Sequence, residues 1–369
     1  MNAIIRRIEE LLCLESQRFP ALTPKNKMLH SHRPFGSRAR RPRRRFLSMD
    51  TSSDRVPRLS LRDFRRGTNA QKLSFAGALG DAFRRYGFAV IVEHDLEQGE
   101  RDAMYRQAKV FFAKSDREKN RFAVAEGIRG YTGRMERAKG YDVCDLKEFW
   151  HVGQENPPSD CPLPEAYPPN LWPNAFDQKA TMHYYRQNES IAFDLLTALD
   201  LYVGEEERKT LAHAAQNGNS VLRFAYYPPI NTYANREIDA ERAKPHADVN
   251  YLTLMPMPMV DGQNVDHSLE ILRPGNTWLP ISIGSDELVI DGGDMLELMT
   301  GGFFAPTIHR VVNPADATKA RYSIPFFVHP RPEVLLASVA KYRREGLPPP
   351  MRAYDFMMNR FRDNALVAS

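Results

Sequence analysis

Five polar side chains in the C-terminal part of the chain constrain its fold more than anything else in it. His246-Ala247-Asp248 is followed, after a long gap, by His309 and then by Arg321-Tyr322-Ser323. His246 and Asp248 are spaced i, i+2, as are Arg321 and Ser323, so on a strand each pair projects from one face. His309 sits in Thr307-Ile308-His309-Arg310-Val311, a run of strand-forming residues. Strands that share one interior would bring these side chains together.

The rest of the chain supplies such a fold. Residues 70–86 carry Leu73, Ala76, Leu79, Ala82 and Phe83 at helical spacing, and Tyr86 to Val92 then reads as a strand entered through Gly87. Helices are expected around 97–113, 177–202 and 350–365, with a Pro- and Asn-rich loop over 154–175. After Ser220 the pattern changes to short β-runs at 221–227, 249–255, 277–283, 287–291, 306–312 and 320–328. Pro228-Pro229, Asp261-Gly262, Pro274-Gly275, Gly292-Gly293, Gly301-Gly302 and Asn313-Pro314 punctuate them. Many short strands with such turns predict a sandwich or barrel. No internal repeat is present.

If His246 and Asp248 lie on one strand, Asn250, Leu252 and Leu254 share their face. Residues 313–319 read as the loop of a hairpin that sets His309 opposite Ser323. Two imidazoles and one carboxylate with open positions form the ligand set of non-haem Fe(II) oxygenases. Zinc accepts similar ligands but does not call for the Arg-x-Ser. A guanidinium binds a carboxylate with two hydrogen bonds, and a serine hydroxyl adds a third. His151 and His329 read as structural, His267 as part of a turn, and Arg310 as an outward-facing ion-pair former.

On these residues the chain resembles the isopenicillin N synthase-like branch of the Fe(II)/2-oxoglutarate-dependent dioxygenases, over about residues 57–365. The stretches that carry the resemblance are Tyr86-Gly87-Phe88, Lys147-Glu148-Phe149, Tyr226-Tyr227-Pro228-Pro229, His246 to Leu254, Gly293-Asp294-Met295-Leu296, Thr300-Gly301-Gly302, His309 to Pro314 and Arg321 to Pro330. The resemblance implies a mostly β protein with packed helices: a double-stranded β-helix (jelly roll) core behind an N-terminal α/β region. It implies iron on His246, Asp248 and His309, and the distal carboxylate of 2-oxoglutarate on Arg321, Ser323 and Tyr227. Expected pocket residues are Asn250, Tyr251, Phe304 and Phe326. Ala225, His267-Ser268-Leu269 and Gly301-Gly302 depart from the family pattern and bear on the substrate pocket.

The expected activity is hydroxylation or desaturation of a small molecule with O2, releasing succinate and CO2. The alternatives are an iron oxidase of the isopenicillin N synthase type that uses no 2-oxoglutarate, and a silent binding protein on the same fold. The expected division is 57–165 as the N-terminal region, 177–330 as central helix and catalytic jelly roll, and 331–369 as a C-terminal helical segment.

Charge separates a tail from this body. Residues 1–48 hold 12 Lys/Arg against 3 Asp/Glu, and the remaining 39 basic and 43 acidic groups leave the body at −4. A nucleic-acid partner is therefore not expected for the body. The basic tail, with a short amphipathic run around Ile4 to Leu12, reads as a disordered extension or as sequence upstream of a start at Met49, with a targeting peptide or a polyanion-binding arm as the alternatives. No apolar run approaches the 18 residues of a membrane span, and the three scattered cysteines fit a reducing, cytoplasmic setting. The sequence carries no signal for oligomeric state.

Overall fold

The helix Asn69–Tyr86 shows how local chemistry builds this fold. Thr68 caps it through a capping box with Gln71, worth about 1 kcal/mol. It ends at Gly87, whose φ of +66° suits glycine. A Cβ there would also run into the side chain of Thr307. The turn leads directly into a buried strand. The structure is a computed structural model that describes residues 55–124, 128–134, 136, 144–204, 210–232, 242–260, 266–338 and 343–363. The basic tail, with its expected amphipathic run, lies outside them.

The described strands are β1 Arg58–Ser60, β2 Phe88–Val92, β3 Gly130–Thr132, β4 Glu148–Gly153, β5 Val221–Tyr227, β6 Ala243–His246 and β7 Leu252–Pro256. They continue with β8 Met259–Val260, β9 Asp266–Arg273, β10 Thr277–Ile283, β11 Leu288–Gly292, β12 His309–Val311, β13 Arg321–Ser323 and β14 Phe326–Val328. Among the described residues, a ten-stranded sheet runs β1-β2-β11-β7-β14-β5-β13-β8, with β4 on the other side of β5 and β3 beside β4. A four-stranded sheet runs β10-β9-β12-β6. Apart from the parallel β1–β2 pair, the registers are antiparallel.

Two apolar layers hold these sheets. Phe88, Val90 and Val289 of the large sheet meet Leu269, Ile271, Ile281 and Ile283 of the small one. On the other face of the large sheet, Leu222, Phe224, Leu252, Leu254 and Phe326 pack with Tyr185, Leu195 and Leu199 of the helix Gln178–Val203. Each such large apolar side chain contributes about 1.5–3 kcal/mol on burial. That long helix starts on Asp177, which accepts from the Ala180 amide at 3.0 Å. It ends on Gly204.

Several expectations are corrected. The 306–312 run forms a strand only over His309–Val311, and the 249–255 run only from Leu252. The 320–328 run is split at Ile324-Pro325, where Pro325 has no amide to donate. Residues 313–319 join no hairpin: β12 pairs with β6 and β9 in the small sheet, and β13 with β5 and β8 in the large one. His309 therefore lies opposite His246, and Ser323 opposite Ala225. His267 sits on β9, not in a turn. Leu73, expected in the core, is 57% exposed, and Phe75 is buried instead. Among the described residues no helix is long and apolar enough to cross a bilayer.

Candidate metal centre

His246 closes β6 and faces His309 on β12, with ring centroids 4.4 Å apart. Asp248 reaches the same point from the turn after β6, not from the strand itself. That turn is held by the helix Asp294–Met299: the Asp294 amide donates to the Asp248 carbonyl at 2.8 Å, and the Met295 amide to that of Asn250 at 3.2 Å. Only glycine fits at 293, since a Cβ would strike both the Asp248 and Asn250 carbonyl oxygens. Thus Gly293, read from sequence as a turn marker, is what lets a helix end grip the Asp248 turn.

The Nε2 atoms of His246 and His309 lie 3.5 and 3.6 Å from the same Asp248 oxygen, Oδ1. Ligand atoms from the three residues all lie within 4.8 Å of one another. Ligands at about 2.1 Å from one ion, at right angles, are about 3 Å apart, so a small inward shift suffices for chelation. The outer imidazole nitrogens are committed. His246 Nδ1 is 2.6 Å from the Lys244 carbonyl, and His309 Nδ1 is 3.1 Å from that of Thr307. A carbonyl only accepts, so Nδ1 carries the proton in each ring and Nε2 offers its lone pair inward.

Asp248 is fixed in the same way. The Thr253 hydroxyl donates to its Oδ2 and accepts from Asn250 Nδ2 at 3.0 Å. This occupies one carboxylate oxygen and leaves Oδ1 for a metal. Burial would raise the Asp248 carboxyl, but the His246 hydrogen bond and both imidazoles hold it well below the usual range. Burial drives His309 down to about 4, with the charge of His246 adding to the effect. For His246 burial acts in the same direction, yet the hydrogen bond and charge of Asp248 outweigh it and raise it. Phe88 seats the His309 ring edge-on at 5.4 Å.

The second half of the site lies on the large sheet. Arg321 and Tyr227 are register partners, and the guanidinium lies 5.0 Å from the centre of the tyrosine ring. Arg321 is 1% exposed, yet none of its three side-chain nitrogens has a hydrogen-bond partner among the described residues. Leaving buried N–H groups unpaired costs several kcal/mol in general. A cradle of Arg321, Ser323 and Tyr227 therefore fits a carboxylate-bearing ligand.

The chain has relatives in both sequence and structure. Residues 56–175 match the family model for the non-haem dioxygenase in morphine synthesis N-terminal region, and residues 218–330 match that of the 2OG-Fe(II) oxygenase superfamily. A crystal structure of a 2OG-Fe(II) oxygenase family protein from Caulobacter crescentus is 34% identical. It covers 84% of this chain and 98% of its own, with a TM-score of 0.70. The chain belongs to the 2OG-Fe(II) oxygenase family. Its core is the double-stranded β-helix of that family, and iron, 2-oxoglutarate and O2 are the cofactor and co-substrates that the family uses. A 2-oxoglutarate-Fe(II) type oxidoreductase, ppzD, from Metarhizium majus is 25% identical over 346 residues, spanning 87% of this chain and 95% of the relative. A full-length Neurospora crassa protein, crystallised in complex with alpha-KG, shares the fold at 20% identity and a TM-score of 0.70, covering 83% and 96% of the two chains.

The expected pocket residues of this oxygenase are all buried, with these neighbours. Tyr251, Phe304 and Phe326 belong to the apolar layer under the helices. Phe304 packs on Phe83, Tyr202 and Phe303, and Phe326 on Tyr185. Asn250 is buried, with its amide spent on Thr253 and the Leu252 carbonyl at 2.6 Å.

A polar cluster lies within electrostatic reach of the histidines; the sequence singled out Lys147 and His151 one by one but not their grouping with Glu136 and Arg223. Lys147 bridges Glu136 at 2.5 Å and Asp145 at 2.9 Å, and its charge acts on His246 and His309. Arg223 meets Glu136 with both terminal nitrogens at 3.3 Å and donates through Nε to His151 Nε2 at 2.7 Å. Its guanidinium lies 4.0 Å from the centre of the Phe149 ring and 4.9 Å from that of Phe327. Burial opposes the Glu136 charge, but Arg223 and Lys147 hold that carboxyl far below its usual range. A signal for this cluster is present in the sequence: Arg223, Ala225 and Tyr227 alternate along β5, and Tyr227 marks that face as the interior.

Proposed function

We propose that this oxygenase hydroxylates or desaturates a small molecule at an iron held by His246, Asp248 and His309. Arg321, Ser323 and Tyr227 would hold the distal carboxylate of 2-oxoglutarate. The observation that carries this reading is the buried Arg321 guanidinium, which has no hydrogen-bond partner among the described residues and stands opposite Tyr227. Iron with 2-oxoglutarate and O2 supplies the oxidising power, and succinate and CO2 leave.

The protein's own contribution is placement. Hydrogen bonds from Nδ1 to the Lys244 and Thr307 carbonyls aim both imidazoles, and Thr253 makes Asp248 a one-oxygen ligand. We assign Phe149, Phe327 and the Arg223–Glu136 pair to the substrate wall, since Arg223 lies over both rings and pairs with Glu136, which is within electrostatic reach of His246, and since both rings are spared from the apolar core under the helices. Misplacement of a reacting bond by about 1 Å costs on the order of 100-fold, so such a wall selects which bond reacts. We take 57–165 as the region that closes this pocket, because Glu136, Lys147, Phe149 and His151 come from it. The segments 177–330 and 331–369 are then the catalytic jelly roll and its C-terminal cover. On its cysteine usage we assign the protein to the cytoplasm.

Anaerobic addition of Fe(II) and 2-oxoglutarate should produce a visible charge-transfer band, absent from His309→Ala, and aerobic turnover should release succinate. Oxygen uptake without succinate, whatever the substrate, would discard the reading.

A further inference from the structure

Asp266, at the start of β9, is 3% exposed and stands beside Arg321. Its Oδ2 lies 3.6 Å from Arg321 Nη2, close enough for attraction and too far for a hydrogen bond. Both carboxylate oxygens lie 2.9 Å from the Ser268 hydroxyl, which holds the group in place. The guanidinium thus has a buried counter-charge, yet none of its N–H groups is spent on it.

We propose that Asp266 is a resident counter-ion that tunes co-substrate affinity. It balances Arg321 while the cradle is empty, and opposes the carboxylate that later binds there. The inference rests on the reading that Arg321 anchors 2-oxoglutarate. A buried guanidinium without any anion is strained electrostatically, and a neighbouring carboxylate relieves this. When 2-oxoglutarate arrives, two carboxylates share one guanidinium, and their repulsion weakens binding. Succinate keeps the same distal carboxylate, so the resident acid also hastens release of the co-product. Asp266 is a positioning and tuning residue that need not touch the reacting atoms.

The test is Asp266→Asn, which keeps the shape and the Ser268 hydrogen bond but removes the charge. Fe(II)-loaded protein is titrated anaerobically with 2-oxoglutarate, and separately with succinate, by calorimetry; thermal unfolding is followed without either. The expected result is about tenfold tighter binding of both, the scale of one like-charge contact in a partly screened interior, together with a lower Tm of the ligand-free protein. A merely structural role would lower the Tm and weaken binding, so unchanged or weaker binding overturns the proposal. Asp266→Ser provides the same comparison should the asparagine variant fail to fold. Arg321→Met separates the two layers of the argument. If wild type and Arg321→Met bind 2-oxoglutarate equally, the anchoring role falls and this inference with it. If only Asp266→Asn misbehaves, the anchor stands and the tuning role is wrong.

Discussion

His309 and His246 face each other across one antiparallel strand pair, and Asp248 completes their triangle from a turn outside the sheet. The two imidazoles therefore move with the sheet, and the carboxylate with the helix end that holds its turn. The precision of the metal centre depends on the hydrogen bonds that fix this turn, among them the one from Thr253, on the large sheet, to Asp248.

Thr253→Val should show this. It preserves shape and removes the hydroxyl that donates to Asp248 and accepts from Asn250. Loss of such a supporting contact costs about 10–100-fold in metal affinity. Competition with a chelator for Fe(II) or Co(II) measures it, and thermal unfolding checks that the fold survives. An affinity equal to wild type would mean that Asp248 needs no such support.

Metal affinity should fall on acidification in two stages. His246 is raised above its ordinary 6.5, so its proton must be displaced by the metal as soon as the pH falls through that raised value. His309 stays neutral down to about 4 and adds a second proton only below that. The expected slope is one proton, tenfold in affinity per pH unit, through the mildly acidic range, steepening below about 4. A two-proton slope beginning near neutrality would contradict the asymmetry of the two rings.

Arg321→Met should leave iron binding intact while weakening 2-oxoglutarate on the order of 100-fold, within the range for removing one partner of a buried charge pair. Parallel titrations with metal and with 2-oxoglutarate separate the two effects. A fall in both would make Arg321 a scaffold residue.

Gly87→Ala tests the fold rather than the site. The residue would need positive φ and would meet Thr307, two residues before the His309 ligand. A cost of about 1–3 kcal/mol is expected from the backbone alone, visible in a denaturant midpoint. Weaker metal binding should accompany it if the Thr307 segment shifts.

The candidate ligand set was legible in the sequence because residue type points to it: the structure brings His246, Asp248 and His309 within reach of one another and buries Arg321 and Ser323. Their geometry was less legible. A period-2 reading carried from His246 through Leu254 assumed an unbroken strand, and the turn at 247–251 breaks it. It set Asn250 on the ligand face, whereas its amide is bonded to the Leu252 carbonyl and the Thr253 hydroxyl. The hairpin expected over 313–319 failed because adjacency in sequence cannot distinguish a turn within one sheet from a crossing between two. β9 escaped notice because its start, Asp266-His267-Ser268, is polar; its buried Leu269 and Ile271 alternate with Glu270 as an inward-facing strand should. Glu136 became visible only when the chain placed it between Lys147 and Arg223.

The sheet that holds β4 and β5 also holds Thr253, which fixes Asp248, and the Lys244 amide, two residues before His246, donates to Asp145 at 3.4 Å. A lineage that rewrites Phe149, His151 or Arg223 therefore also adjusts the supports of the oxidising apparatus. Point changes along β4 and β5 would be a gentler way to redirect such a catalyst than an exchange of the whole segment.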